Sequence, residues 1–329
     1  MPQDLMNKFD IGAPIDKEGY VLVPLFSKQS GRFIPSLRQA LQSGAVRVFD
    51  SDKGMERYQQ ECEKNVPYRL QMRAGGVKYT GFRAAFIENQ SDTPILLRAS
   101  DILLGGRQDR VLDRHCVIPP RSLTDIPVSC AESGRWKYNG SPLFQSSSQQ
   151  LPLHIREQRL SKRLQNSEIQ HQTWNMIRKE VRRQSILSPT KSIQDVLTKS
   201  KEEHVLFPYV NRASGLVLFK KHRRDFQFHL LEWFCNTQLC KESWDSTLKA
   251  AIRPTKKRYS VSLDPFRLRR GIQKILQTLT PRRAEDAFLG QFSQMTLGGY
   301  KGTAVADSRD TIYFSLLNPL RSTPRRRRE

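Results

Sequence analysis

The sequence predicts an α+β fold, with an antiparallel β-rich N-terminal half, a helical middle segment and C-terminal strands that return to the sheet. From residue 20 to residue 130, short apolar runs of the kind found in strands are separated by turn residues. Apolar residues then recur at helical spacing from 153 to 203, and two β-type runs lie near the C-terminus. The 329 residues, of which 37% are hydrophobic, suffice for one large core or two modest ones.

The N-terminal half is predicted to be mostly sheet. One helix interrupts it over 36–44, where Ser36 is a candidate cap and Gly44 a candidate terminator. The predicted strands are 21–26, 45–49, 68–72, 82–87, 94–97 and 110–112.

A polar stretch at 146–150, followed by Pro152, predicts a break in regular structure. We therefore expect a boundary near residue 150, with a β-rich domain over 1–150 and a basic α+β region over 151–320 packed on it. The Arg-rich tail over 321–329 is predicted to be disordered. Three helices are expected at 153–165, 168–184 and 190–203.

The remaining pattern predicts a strand at 215–219 and a long, apolar helix over 225–252. A further helix is expected from Pro265, a favoured first-turn residue behind Asp264, to about residue 280. The segments 302–305 and 311–316 bracket a polar turn and predict a hairpin.

Positive charge is concentrated in the second half of the chain. The formal charge is +23; residues 1–150 contain 20 Lys and Arg against 16 Asp and Glu, whereas residues 151–329 contain 35 against 16. Such a surplus favours a nucleic-acid partner, because cations release counterions from phosphates, although a highly charged solvated surface is the alternative. The candidate nucleic-acid-binding residues are Lys220, Lys221, Arg223, Arg224, Lys256, Lys257, Arg258, Arg267, Arg269, Arg270 and Lys274.

Two polar motifs, at 103–114 and 126–136, interrupt apolar strands. If 107–114 is extended, Arg107, Asp109 and Asp113 project to one face and Gln108, Arg110 and Arg114 to the other. Guanidinium groups on such a face bind phosphate or carboxylate in bidentate fashion, whereas a ladder of Arg–Asp pairs between strands is the structural alternative. The candidate ligand-binding residues are Arg107, Gln108, Arg110, Glu132, Arg135 and Trp136.

These motifs resemble those of the ARG and rhodanese-phosphatase-superfamily-associated protein domain, where ARG denotes ADP-ribosylglycohydrolase. The matching residues are Gly105, Gln108, Arg110, Ile126, Pro127, Val128, Ser129, Cys130, Glu132, Gly134, Arg135 and Trp136. Arg107 and Asp109 stand where the family usually has lysine and asparagine. The resemblance covers about residues 15–235, with the closing strands to Asn318. It implies a domain found near ADP-ribose-related enzymes and prokaryotic defence systems, without a reaction to transfer.

Other motifs predict little chemistry. Cys235 and Cys240 suit two buried thiols better than a metal site, and we expect no metal and no cofactor. His115 and Cys116 are expected in the core or at the surface, and Cys130 is expected to be buried and inert, with a thiol of lowered pKa as the alternative.

The five scattered cysteines indicate a reducing compartment. The sequence lacks both a leader pattern and a run of 18 apolar residues, so we expect a cytoplasmic protein with no membrane association.

Three functions remain open. The favoured one is a non-catalytic binding or accessory protein with a nucleic-acid-binding surface, in a prokaryotic defence or ADP-ribose-linked system. The second is a sensor or enzyme that recognises a phosphate-bearing nucleotide such as ADP-ribose. The third is a protein scaffold that docks an acidic partner.

Overall fold

In a computed structural model of the chain, the structure describes residues 8–29, 31–54, 56, 84–99, 101–135, 137–138, 141–161, 166–199, 207–223, 225–252, 259, 261–277, 280–287, 290–297, 300–306 and 311–317. The strands in chain order are β1 (Phe9–Ile11), β2 (Ile15–Lys17), β3 (Tyr20–Ser27), β4 (Val46–Asp50), β5 (Ala84–Asn89), β6 (Ile95–Leu97), β7 (Asp101–Gly105), β8 (Arg110–Leu112), β9 (Cys116–Ile118), β10 (Ser122–Cys130), β11 (Phe144–Gln150), β12 (Gly215–His222), β13 (Asp225–Phe234), β14 (Thr280–Ala287), β15 (Gly290–Leu297), β16 (Tyr300–Ala306) and β17 (Thr311–Leu317). The helices are α1 (Leu37–Gln42), α2 (Leu153–Ser161), α3 (Asn166–Arg183), α4 (Ile193–Lys199), α5 (Thr237–Ala251) and α6 (Pro265–Gln277). The α+β prediction is confirmed.

The larger sheet joins the two ends of the chain. Its strand order is β1-β3-β12-β13-β17-β16-β15-β14, and β2 also pairs with β3. The pairing of β3 with β12 is antiparallel and places Leu22 opposite Leu218. The closing pair β16 and β17 is antiparallel as predicted, with Thr303 opposite Ser315. Strands from both sides of residue 150 therefore share one sheet.

The second sheet curls until its edges meet. Its strand order is β11-β7-β8-β10-β5-β4, and a separate pair is formed by β6 and β9. Phe49 of β4 forms an isolated antiparallel bridge with Leu143, just before β11. The N–H of Asp50 donates to the carbonyl of Pro142 at 3.4 Å. This contact brings the end of β4 beside the turn that follows β7.

Local signals located the short helices correctly. The Ser36 hydroxyl accepts a hydrogen bond from the N–H of Gln39 at 3.2 Å, which caps α1, and Gly44 has φ +73° behind its end. The three helices of the middle segment appear as α2, α3 and α4. Asp264 accepts from the N–H of Arg267 at 3.1 Å and so satisfies a free N–H at the start of α6.

The prediction of a polar break at 146–150 was wrong, because this segment forms most of β11. Gln149 and Gln150 are buried. The amide of Gln150 donates to the hydroxyls of Ser246 and Thr247 at 3.0 and 3.1 Å. A buried polar side chain can lie in this strand because hydroxyl groups on α5, remote in sequence, accept its hydrogen bonds.

The prediction of one helix over 225–252 was also wrong. Residues 225–234 form β13, and the helix α5 begins only at Thr237, capped by Asn236, which accepts from the N–H of Leu239 at 2.8 Å. β13 lies between β12 and β17, and its residues 230–234 are all buried, including Glu232, whose carboxylate lies 2.6 Å from the Arg156 guanidinium. A strand buried on both faces lacks the alternation of apolar and polar residues that would have identified it. The predicted strand at 68–72 and the tail at 321–329 lie outside the described residues.

Two apolar clusters hold the elements together. The larger cluster includes Leu22 and Val217 of the larger sheet together with Val48 and Ile87 of the second sheet. The smaller one packs α3 and α4 against β7 and β8; its members include Ile177, Val196, Ile102 and Val111. The smaller cluster positions the segment before α4 against the motif residues described next. In the part of the chain that the structure describes, no helix is long and apolar enough to cross a membrane.

Candidate functional site

Residues 106–109 form a turn between β7 and β8, so 107–114 is not extended throughout, and the predicted strand 110–112 is confirmed as β8. Gly105 and Gly106 have φ +115° and +53°, a backbone conformation that favours glycine. A Cβ at Gly106 would lie 2.5 Å from a carboxylate oxygen of Asp50. The predicted division of the polar residues between two strand faces is therefore absent from this turn.

Arg107 is half-exposed and is held by groups near the end of β4. Its guanidinium lies 2.5 Å from the carboxylate of Asp52 and 5.1 Å from the ring centroid of Tyr138. The Tyr138 hydroxyl donates to Asp52 at 2.9 Å. Burial acts to raise the pKa of Asp52, but the Tyr138 hydrogen bond and the Arg107 charge outweigh it and lower the pKa overall. Asp52 is thus held ionised as the partner of Arg107.

Arg110 is buried inside the curled sheet. Its guanidinium lies 3.2 Å from the carboxylate of Asp50 and also contacts the sulfur of Cys130. Burial raises the pKa of the Cys130 thiol even though the positive charge of Arg110 acts to lower it. The prediction that Cys130 is buried is confirmed, and the raised pKa is opposite to the alternative of a lowered one. Burial likewise raises the pKa of Cys116, to about 12, and lowers that of the buried His115 well below its usual range.

Arg135 ties the loop after β10 to the turn after β7. Its guanidinium lies 2.8 Å from Glu132 and 3.2 Å from Asp109, and it donates to the carbonyl of Gly106 at 2.7 Å. The buried Gln108 donates its amide to the carbonyl of Glu132 at 3.1 Å. The structure therefore brings Gln108, Glu132 and Arg135 together, as predicted, and adds Asp109.

The segment before α4 closes over the same loop. The N–H groups of Ser133 and Gly134 donate to the carbonyl of Thr190 at 3.1 and 3.0 Å, and the Ser192 hydroxyl donates to Asp109 at 2.9 Å. A Cβ at Gly134 would lie 2.8 Å from the Cα of Thr190. Glycine at this position is what allows the two backbones to approach.

These groups border a cleft of about 510 Å³. Its polar lining includes Asp109, Glu132, Arg135, Ser192, Gln194 and Asp195. Burial, followed by the charge of Glu132, raises the pKa of Asp109. Two of the three carboxyl groups in this lining, those of Asp109 and Glu132, lie against the Arg135 guanidinium, so the cleft offers acceptors for hydroxyl or amine groups and its guanidinium is already paired.

The structure therefore brings only some of the predicted ligand-binding residues together. Arg107 and Arg110 are paired with Asp52 and Asp50, and Trp136 lies outside the described residues. Sequence reasoning did not place Asp50 or Asp195 at the site, because both come from segments remote from the two motifs. Among the described residues, no cluster of three or more His, Cys, Asp or Glu side chains is placed to hold a metal ion.

Two of the predicted basic segments, the β12–β13 hairpin and α6, lie beside each other. The guanidinium of Arg267, in the first turn of α6, lies 3.1 Å from the carboxylate of Asp225 at the start of β13. The rings of His222 and Tyr259 lie 5.5 Å apart between centroids, so Tyr259 also lies beside the hairpin. We define the basic surface by its described cations, Lys220, Lys221, Arg223, Arg267, Arg269, Arg270 and Lys274.

The cations of this surface differ in their surroundings. Lys221 lies 2.5 Å from Asp16, and the Lys220 ammonium lies 5.7 Å from the ring centroid of Tyr20. On α6, Leu268, Ile272, Ile275 and Leu276 are buried, whereas Arg267, Arg269, Arg270 and Lys274 are exposed. The helix thus presents its cations to solvent. Arg224, Lys256, Lys257 and Arg258 lie outside the described residues.

A family model for the ARG and Rhodanese-Phosphatase-superfamily-associated Protein domain, ARPP-1, matches residues 8–262. The chain belongs to this family. The match begins earlier and ends later than the predicted 15–235, but it does not include the closing strands, to which we extended the resemblance. It contains the cleft and the β12–β13 hairpin. Neither the curated proteins nor the solved structures gave a match.

The ARPP-1 match ends before α6 and before the four closing strands. The ARPP-1 segment therefore supplies the hairpin half of the basic surface, and the chain beyond it supplies the helical half. The side chains of the cleft, by contrast, all lie inside the ARPP-1 segment.

Proposed function

We propose that this chain is a non-catalytic, cytoplasmic nucleic-acid-binding protein that works as an accessory in a prokaryotic defence or ADP-ribose-linked system. The single observation that carries the binding proposal is the 3.1 Å contact between Arg267 and Asp225, which sets the basic helix α6 beside the basic hairpin. Two cation clusters remote in sequence thereby act on the same length of phosphate backbone. Several cations acting together give the counterion release that drives such binding.

The experiment is a salt titration of binding to labelled DNA and RNA with the full chain. The double variant Arg269→Ala and Arg270→Ala is compared with Arg47→Ala and Lys137→Ala, which removes two exposed cations near the second sheet instead. We expect affinity to fall steeply with salt, and the slope of log affinity against log salt to shrink by about 1.5 in the α6 variant alone. Absence of binding, or an affinity that does not change with salt concentration, refutes the proposal.

The second candidate function is recognition of a phosphate-bearing nucleotide by the residues around the motif cleft. The cleft beside Glu132 and Arg135 favours it as a place for a ligand. Arg107, Arg110 and Arg135 are already paired with carboxylates, which counts against phosphate as the ligand group that these arginines recognise. Calorimetry with ADP-ribose on the wild type and on Arg135→Ala tests it, and unchanged binding in that variant rejects it.

A scaffold that docks an acidic protein is the third candidate, since it would use the same basic surface. Pull-downs with and without nuclease separate it from the first. Partners retained after nuclease treatment and lost in the Arg269 and Arg270 double variant favour the scaffold.

A further inference from the structure

An apolar groove lies at the edge of the basic surface. It has a volume of about 340 Å³, and its lining includes Ile11, Ala13, Pro14 and Val23 from the N-terminal strands together with Phe266 and Leu268 of α6. A groove of this size falls within the range of sites that hold small organic groups. Phe266 is 84% exposed, so one wall of the groove is an aromatic ring largely open to solvent.

The groove has a cation in its lining. Arg269 lines it, and among the described residues the lining contains no carboxylate. The matching occupant is apolar and flat where it enters the groove and anionic immediately outside it. An unpaired nucleotide has this form, because its base stacks on aromatic rings while its phosphate meets arginine.

We propose that this groove binds an unpaired base, so that the nucleic acid recognised by the basic surface is single-stranded. The inference rests on the proposed nucleic-acid-binding function and adds the class of strand. A duplex keeps its bases stacked and paired, and it can offer the surface only its phosphates. The groove thus gives a single strand contacts that a duplex of equal charge lacks.

The test compares three probes of equal length with the full chain: labelled oligothymidylate, an abasic single strand and a duplex. The variant Phe266→Ala is measured beside Leu187→Ala, which removes another exposed side chain, 94% accessible, that lies outside the groove. We expect Phe266→Ala to weaken oligothymidylate binding about tenfold and to leave abasic-strand binding unchanged. Phe266→Trp should retain the affinity, and Leu187→Ala should behave as the wild type.

The outcomes separate this inference from the proposed function. Equal affinity for oligothymidylate and the abasic strand, or wild-type affinity in Phe266→Ala, overturns the base site while salt-dependent binding still supports the basic surface. No binding to any probe overturns both. Two other results would overturn the base site if oligonucleotide binding does not depend on the bases. A change of self-association in sedimentation on Phe266→Ala would assign the groove to a second copy of the chain. A change of retention on phosphatidylserine vesicles would assign it to a lipid surface.

Discussion

The carboxylate of Asp225 lies 3.1 Å from the guanidinium of Arg267, at the point where the β12–β13 hairpin meets α6. Both side chains are more than half exposed, and exposed ion pairs contribute about 0 to 1 kcal/mol to stability. The pair therefore marks the place where α6 meets the hairpin and contributes little to the stability of the fold. It also places a negative charge within a surface that we propose to bind phosphate.

Asp225→Asn should strengthen nucleic-acid binding. It removes the negative charge but retains an acceptor for the N–H of Phe226, which now donates to Asp225 at 2.7 Å. We expect affinity to rise about two- to fivefold and the free energy of unfolding to change by less than about 0.5 kcal/mol. Fluorescence anisotropy and urea unfolding measure the two effects.

The matched control is Asp92→Asn, because Asp92 and Arg121 form an exposed pair at 2.8 Å in the second sheet. This change should leave nucleic-acid affinity unaltered. Weaker binding by Asp225→Asn would mean that the pair holds Arg267 in its binding orientation, contrary to the prediction.

Arg110→Met should destabilise the fold by about 3 to 5 kcal/mol, because it leaves Asp50 buried without its cation. The double variant Arg110→Met and Asp50→Asn should recover part of this loss, since it removes the buried charge as well. Urea unfolding gives both free energies. Arg121→Met, in an exposed pair, serves as the control and should cost less than about 1 kcal/mol.

This prediction separates a structural from a ligand-binding Arg110. Wild-type stability in Arg110→Met together with loss of ADP-ribose binding would assign Arg110 to a ligand and contradict the structural interpretation.

Elements specified by neighbouring residues were predictable from the sequence. For α1, the cap at Ser36 and the terminator at Gly44 lie within the helix's own segment, and both act as expected. For α6, Asp264 and Pro265 mark the start in the same way. The sequence also predicted the pairing of the two closing strands, because only a few residues separate them in the chain.

Elements specified by remote partners were not predictable. The residues 230–234 of β13 are all buried because the strand lies between β12 and β17, so the alternation that identifies a strand is missing. In β11, the polar residues are stabilised by contacts of Gln150 with α5. The same limit applies to the motif cluster: the sequence identified Arg110 and Arg135 but not Asp50, which comes from the end of β4.

Gly134→Ala should loosen the segment before α4. An added Cβ would lie 2.8 Å from the Cα of Thr190, and the backbone there cannot move without weakening the hydrogen bonds from Ser133 and Gly134. We expect a loss of about 1 to 3 kcal/mol. Faster hydrogen exchange should appear at the N–H of Ile193, which donates to the carbonyl of Ala131 at 3.0 Å.

The control is Gly271→Ala, since a Cβ at this position in α6 would meet nothing within 4 Å. Alanine is the better helix former, so this variant should gain about 0.5 to 1 kcal/mol. Unchanged exchange at Ile193 in Gly134→Ala would show that the close approach to Thr190 is not required.

Glu180→Gln should destabilise the protein near neutral pH and have a smaller effect in acid. The Glu180 carboxylate, on α3, accepts hydrogen bonds from His154 on α2 at 3.1 Å, from Arg183 at 3.0 Å and from Gln184 at 2.6 Å. Burial acts to raise the pKa of Glu180, but these hydrogen bonds outweigh it and lower the pKa well below its usual range. The ionised carboxylate therefore binds its proton less readily in the folded than in the unfolded state.

A carboxyl group whose pKa is lowered by folding stabilises the protein above its unfolded pKa, about 4.3 for Glu, and this contribution is lost as the pH falls toward the folded pKa. We expect Glu180→Gln to cost about 1 to 2 kcal/mol at pH 7, where hydrogen bonds to a charged acceptor are lost. The difference from the wild type should shrink steadily below about pH 4. Urea unfolding across this pH range measures it, and a difference that stays constant or grows in acid would show that the stabilisation does not depend on the charge of Glu180.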